Sequence, residues 1–178
     1  MRKQLALLAA AILISSGQTF AQMIKPSFSP ELAKLSFAIG NFTTQTHLMM
    51  GDNQSNGTGT IKAHWGLDSM FVLYSSEEVN PALGSYKGLG VLGYDTEKGQ
   101  YFLYMFNNFG DRPEYTGKFV GDTLTLSAKI QTPQGPFDQQ LKWFKEGNDA
   151  RLLIFTDFGQ GYSLIIDQKA TRVPDSTK

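Results

Sequence analysis

Residues 88–93 read GLGVLG, a match to the G-x-G-x-x-G spacing that cradles a dinucleotide pyrophosphate, and the residues immediately downstream decide the fold. That fingerprint works only where strand, glycine turn and helix succeed one another, so that the pyrophosphate meets a helix N-terminus, with an acidic residue about 20 positions on. Here the glycines run into YDTEKG (94–99), a hairpin turn, and then into QYFLYMF (100–106), an aromatic strand. No helix opens there, and the stretch reads as one strand of an all-β protein. Gly88, Gly90 and Gly93 are expected on alternating faces of it, where missing side chains permit sharp coiling or close approach of a neighbour.

The pattern extends in both directions. From Asn41 to the end, ten short strands are expected, near 42–50, 58–65, 70–76, 86–94, 101–106, 115–120, 123–131, 137–144, 151–156 and 162–171. The segments between them (GDNQSNG, GLD, DTEKG, NNFGDRP, GD, TPQG, EGND, DFGQG) supply residues that tolerate turns or left-handed backbone. Connections this tight make consecutive strands antiparallel neighbours. Leu124, Leu126, Ala128 and Ile130 alternate with Thr123, Thr125, Ser127 and Lys129, as Ile61, Ala63 and Trp65 do with Thr60, Lys62 and His64, so one face is dry and one wet. Ten such strands carry more edge than an open sheet tolerates, and closing the sheet removes it. The expected fold is an all-β, antiparallel up-and-down barrel of about ten strands with one short N-terminal helix. A two-sheet sandwich is the alternative, and its Greek-key crossings need longer connections.

The helix is expected within 26–41: Ser29 can N-cap, Pro30 suits the first helical position, Glu31 favours the positive end of the dipole, and Gly40 stops it. Leu32, Leu35, Phe37 and Ile39 give an imperfect apolar stripe, suited to a lid or a prop. Upstream, MRKQ, LALLAAAILI and SSGQTFA form the charged, apolar and polar regions of a secretory signal peptide, with cleavage expected after Ala21. That apolar run is shorter than the roughly 20 residues a membrane span needs, so no membrane insertion is expected after cleavage. The chain thus divides into a signal peptide (1–21), a single barrel domain (22–172) and a flexible tail (173–178), with a periplasmic or secreted location. The complete lack of cysteine excludes a lipobox and a disulfide framework.

Without Arg2 and Lys3, 14 basic residues face 16 acidic ones in the mature chain. Lys and Arg are scattered singly, so nucleic acid is not an expected partner. Catalytic constellations are not found: there is no thiol, and Gly161-Tyr162-Ser163 lacks the second glycine and the strand-to-helix elbow of a serine nucleophile. His47 and His64 fall on the polar face, where solvated surface histidines are favoured over a metal or haem site. Glu77 and Glu78, adjacent on a strand end, should point to opposite sides.

GTGTIKAHWGLDSMFVLY (57–74) and GLGVLGYDTEKGQYFLYMFNNFGDRPEYTGKFVGDTLTLS (88–127) resemble a bacterial family of calycin-like, lipocalin-type β-barrel proteins known mainly as a domain of unknown function. The matching pieces are the Gly-x-Gly strand, the Gly-Tyr-Asp before the hairpin and the GKFVGDTLTL strand pair, spread over about 32–172. Where members carry a Trp followed shortly by Asp-Ser after the hairpin, this chain has YMFNNFGD. The resemblance implies a barrel with a binding role and transfers no catalytic residue.

The aromatic excess points the same way. Trp65, Tyr74, Tyr101, Tyr115, Trp143 and Tyr162 are expected inward, with Gln139 as a polar companion. They serve as core filling or as the walls of a cavity for one small molecule. The functional expectation is an exported protein, more binding module than enzyme, that holds a small apolar or amphipathic ligand and needs no cofactor or metal. The alternatives are a filled structural barrel and an uncharacterised barrel enzyme. YFLYMF (101–106) is apolar on both faces, so its outer side is expected to be covered by the helix or by a second subunit, leaving monomer and homodimer both open.

Overall fold

A computed structural model describes residues 28–174. The expected signal peptide with its cleavage site, and the last four residues of the expected tail, lie outside the described residues. Ten antiparallel strands run in order: β1 (Gly40–Met50), β2 (Asn53–Gly66), β3 (Phe71–Asn80), β4 (Gly84–Asp95), β5 (Gln100–Asn107), β6 (Glu114–Val120), β7 (Thr123–Ile130), β8 (Phe137–Glu146), β9 (Asp149–Asp157) and β10 (Ser163–Arg172). Each pairs with its sequence neighbours, and β1 pairs with β10 from Phe42 opposite Arg172 to Leu48 opposite Ile166, closing the barrel. The expected up-and-down barrel is therefore the observed fold.

Turn chemistry sets the corners. In DTEKG the Asp95 carboxylate accepts hydrogen bonds from the backbone N–H of Glu97 and of Lys98, both at 3.0 Å, and Gly99 then takes φ +61°. These contacts to the charged form hold the Asp95 carboxyl below its ordinary range, the Lys98 N–H first. The β2–β3 corner is less comfortable: Leu67, Asp68 and Ser69 all have positive φ (48°, 58°, 68°) with no glycine among them.

The N-terminal segment is shorter and tighter than the expected helix. Only Pro30–Ala33 (α1) is α-helical, capped by the Ser29 hydroxyl accepting from Leu32 N–H at 3.2 Å, and Lys34–Ala38 continues as a 3-10 helix. The reason is the spacing of the apolar side chains. Leu32, Leu35 and Ala38, all fully buried, recur every three residues, the period of a 3-10 helix. This segment plugs one end of the barrel, where Leu32 and Leu35 join Val72, Leu92, Tyr101, Leu103, Leu124 and Leu126 in one core. Arg172 on β10 anchors it by donating to the carbonyls of Ile39 and Phe37 while its guanidinium stacks over Phe42 at 4.7 Å.

Because the helical segment sits at the end, it does not cover the outside of β5. Leu89 (61 % exposed) and Phe106 (54 %), register partners on the outer face of β4 and β5, remain uncovered among the described residues, so of the two covers expected for this face, helix or second subunit, the helix is not the one.

Candidate functional site

The barrel interior is divided along its axis. At the plugged end the inward positions are mostly apolar, with Val72, Leu92, Leu103 and Leu124 buried. At the opposite end, where residues 81–83, 108–113, 131–136 and 158–162 form the connections, they turn polar: Thr46 on β1, Ser76, Glu78 and Asn80 on β3, Tyr86 on β4, Gln139 on β8 and Gln168 on β10. Ser76, Glu78, Tyr86, Gln139 and Gln168 remain only partly buried although they point into a closed barrel. Side chains in that position face space the protein does not fill.

Two inward Gly-x-Gly pairs clear room around β3. A Cβ on Gly90 would lie 2.0 Å from Cε1 of Tyr74, and one on Gly88 would lie 2.7 Å from the Tyr86 hydroxyl and 2.9 Å from Ser76 Oγ. Across β3, a Cβ on Gly57 would lie 2.7 Å from Glu78 Oε1, and one on Gly59 3.0 Å from Thr44 Oγ1. The GLGVLG stretch is thus a seat for tyrosines inside a strand. Gly88 and Gly90 share the inner face, while Gly93 lies outside under Phe71 and Phe102. Strict alternation among the three therefore does not hold, because 88 and 90 are two residues apart.

The polar groups form connected sets. Glu78 Oε2 accepts from Thr46 Oγ1 at 2.7 Å and from Gln168 Nε2 at 3.0 Å. Tyr115 donates its hydroxyl to Gln139 Oε1, and Gln139 Nε2 donates to Thr156 Oγ1 at 3.2 Å. Burial pushes the phenols of Tyr74, Tyr86 and Tyr115 above their ordinary range, with the Glu78 charge adding to the effect on Tyr86. All three hydroxyls stay protonated at neutral pH and remain hydrogen-bond donors.

The seven residues picked from sequence separate into three groups. Tyr74, Tyr115, Gln139 and Trp143 line the interior between plug and polar end. Trp143 packs edge-on against Phe37 of the plug (5.5 Å, 79°) and against Tyr74 (6.4 Å, 70°). Trp65 and Tyr101 belong to the plugged end, Trp65 packing edge-on against Phe28 at 5.4 Å. Tyr162 is 49 % exposed and lies outside the cluster, against the inward expectation. A bulge between Leu164 and Ile166 shifts the register of β10, so the inward alternation counted back from Ala170 reverses before Tyr162.

Glu78, Asn80, Tyr86 and Gln168 were missed by the sequence reading. Glu77 and Glu78 do point to opposite sides: Glu77 meets Lys87 outside at 3.5 Å, and Glu78 enters the barrel. His47 is held by Asn56 at 2.8 Å on the exterior, whereas His64 is exposed and pairs with Leu73, so the strands do not bring the two together. Among the described residues no three His, Asp or Glu side chains converge as metal ligands.

Two depressions lie on the outer surface. One, of about 480 Å³, is bordered by Phe37, Lys145 and Arg172 at the plugged end. The other, of about 530 Å³, lies over β1, β2, β9 and β10, where Arg151 already binds Asp167 through two contacts at 2.7 and 2.8 Å and Glu146 at 3.1 Å.

A family model described as a protein of unknown function (DUF1579) matches residues 29–159. No curated protein matches the chain. Among solved structures, the crystal structure of Rv2717c from M. tuberculosis is similar, with 14 % identity and a TM-score of 0.61, over 83 % of this chain and 100 % of that one. At that identity the likeness concerns the fold alone.

Proposed function

We infer that this chain, which belongs to the DUF1579 family of proteins of unknown function, is an exported binding module that takes a slim amphipathic molecule into its barrel, apolar part toward Trp143 and polar part toward the loops. The observation that carries the reading is the polarity gradient of the inward positions. They run from the Leu35, Leu92 and Leu124 core, past Trp143 and Tyr74, to the hydroxyl, amide and carboxylate groups of Tyr86, Gln139 and Glu78. A gradient of this kind suits a molecule with an apolar body and one polar end. The leader at 1–21 supports a periplasmic or secreted location. A filled structural barrel is the competing reading, favoured by the full burial of Leu35, Val72, Leu92 and Leu124 toward the plug.

The test is fluorescence titration of the full mature protein with C8 to C12 amphiphiles, read through Trp143 and Trp65. A saturable change in emission, reduced in Trp143→Phe but not in Lys129→Ala, supports binding. No saturable response to any probe from a protein that still melts cooperatively decides for the filled barrel.

A further inference from the structure

The outer face of β3, β4 and β5 carries an apolar field that no described residue covers. On β4 the outward positions Leu89, Val91 and Gly93 form its middle. The register sets Ser75, Leu73 and Phe71 of β3 beside them on one flank and Phe106, Tyr104 and Phe102 of β5 on the other. Phe71 and Phe102 close over the missing side chain of Gly93, whereas Leu89, Phe106 and Tyr104 (41 % exposed) stand in water. Each of those three leaves on the order of 100 Å² in contact with solvent. With the half-buried Leu73 and Val91 between them, the field reaches the few hundred Å² at which an exposed apolar patch marks an interaction site.

The charges at its two ends choose the occupant. Lys87 and Asp95 lie on the same strand and the same outer face, Lys87 beyond Leu89 and Asp95 beyond Gly93, at equal distances from Val91. A two-fold axis lying across β4 at Val91 turns the strand end for end. Each Lys87 then comes over the partner's Asp95, each Leu89 over the partner's Phe71 and Phe102, and Val91 meets the partner's Val91. The face is therefore complementary to itself under one operation. Both charges are free to take a new neighbour, because their present pairs, Lys87 with Glu77 at 3.5 Å and Asp95 with Lys98 at 3.4 Å, are surface contacts of little energy. A lipid surface meets the same charged ends and returns nothing for stripping them of water.

We propose that this face of β3, β4 and β5 is the interface of an isologous homodimer, packed sheet on sheet about a two-fold axis at Val91, with two Lys87–Asp95 pairs closing its ends. The dimer uses only the outer wall of the barrel, so it stands apart from either reading of the interior.

The experiment is sedimentation equilibrium of the full mature protein from about 1 to 100 μM, concentrations that populate a dimer of micromolar affinity or tighter. A dimer mass is expected at the upper end. Leu89→Asp, at a water-facing position, is expected to weaken the dimer by at least about 100-fold, whereas Val120→Asp, on β6 outside the field and 70 % exposed, leaves it unchanged. Lys87→Gln and Asp95→Asn, the latter keeping the oxygen that caps the hairpin turn, are each expected to weaken it about threefold, and the double change no more than either alone, because each breaks both pairs. A monomer throughout the range overturns the proposal and leaves the face to a partner of another kind. A dimer that survives Leu89→Asp uses a different face and also overturns it. Effects of Lys87→Gln and Asp95→Asn that multiply in the double variant overturn the two-fold placement. The mass of the unaltered protein decides between monomer and dimer whether or not a variant folds.

Discussion

The hydroxyl of Tyr101 shares its one proton between the backbone carbonyl of Glu31 (2.9 Å) and the Glu31 carboxylate (2.7 Å), 70 residues away, tying the plug to β5. The contacts of Glu31 with Lys34 first and Tyr101 second hold its carboxyl below the ordinary value of 4.5, while burial and then Glu31 itself push the Tyr101 phenol up. Tyr101→Phe is expected to lower stability by about 1–2 kcal/mol in urea unfolding. A carboxyl whose folded pKa is depressed contributes stability above its unfolded value and loses it as pH falls through the folded one. The gap between the two proteins should therefore be full at pH 6 and narrow as pH drops below about 4.5. A gap that is constant down to pH 3 would show that the carboxylate does not take part.

Gly90→Ala sets a methyl 2.0 Å from a Tyr74 ring carbon, whereas Gly88→Ala meets the far end of Tyr86 at 2.7 Å, where a small rotation gives relief. The first should cost about 1–3 kcal/mol and the second less. Neither change should alter nucleotide binding, because the unaltered protein is expected to give no saturable calorimetric signal with NAD, NADP or ATP. Equal midpoints for the two variants in denaturant would contradict the packing account.

Removing the Trp143 ring takes away the partner of both Phe37 and Tyr74. Trp143→Ala should cost about 3–5 kcal/mol, and hydrogen exchange should speed up first in the plug, residues 30–38. Trp143→Phe should restore most of the loss. Unchanged exchange in the plug would mean that the tryptophan supports only the barrel wall.

Leu67, 72 % exposed at φ 48°, stands in a left-handed conformation that costs a leucine roughly 1–2 kcal/mol. Leu67→Asn, a residue that visits this region more readily, should raise the thermal midpoint, gaining up to about 1 kcal/mol. A lowered midpoint would mean that the exposed leucine makes a contact worth more than the strain.

All ten strands were legible because turn chemistry and two-residue alternation are local signals. The misplaced boundaries cluster at one end of the barrel. β2 begins at Asn53, five residues before its expected start, and β3 runs on to Asn80, past the expected stop at Ser76. In both places the inward positions are polar, Ser55 on β2 and Glu78 and Asn80 on β3, and a polar inward residue erases the contrast by which a strand is recognised. The candidate site was missed for the same reason: side chains that equip an interior for polar contact read, one dimension down, as the end of a strand. Tyr162 failed differently, since a bulge reverses alternation without leaving a mark in composition.

Closure of the barrel through β1 and β10 also sets the order in which the chain can assemble. Every other pairing joins consecutive strands and is available once a hairpin has been made, whereas the Arg172 contacts with Phe37 and Ile39 span 135 and 133 residues. Loop-closure entropy grows only with the logarithm of length, so that last step is affordable but late, and until it happens β1 offers a bare hydrogen-bonding edge to any other chain. Thr43, Gln45 and His47 on its outer face give a half-made molecule a wet flank during that interval, and the same residues face water once the ring is shut.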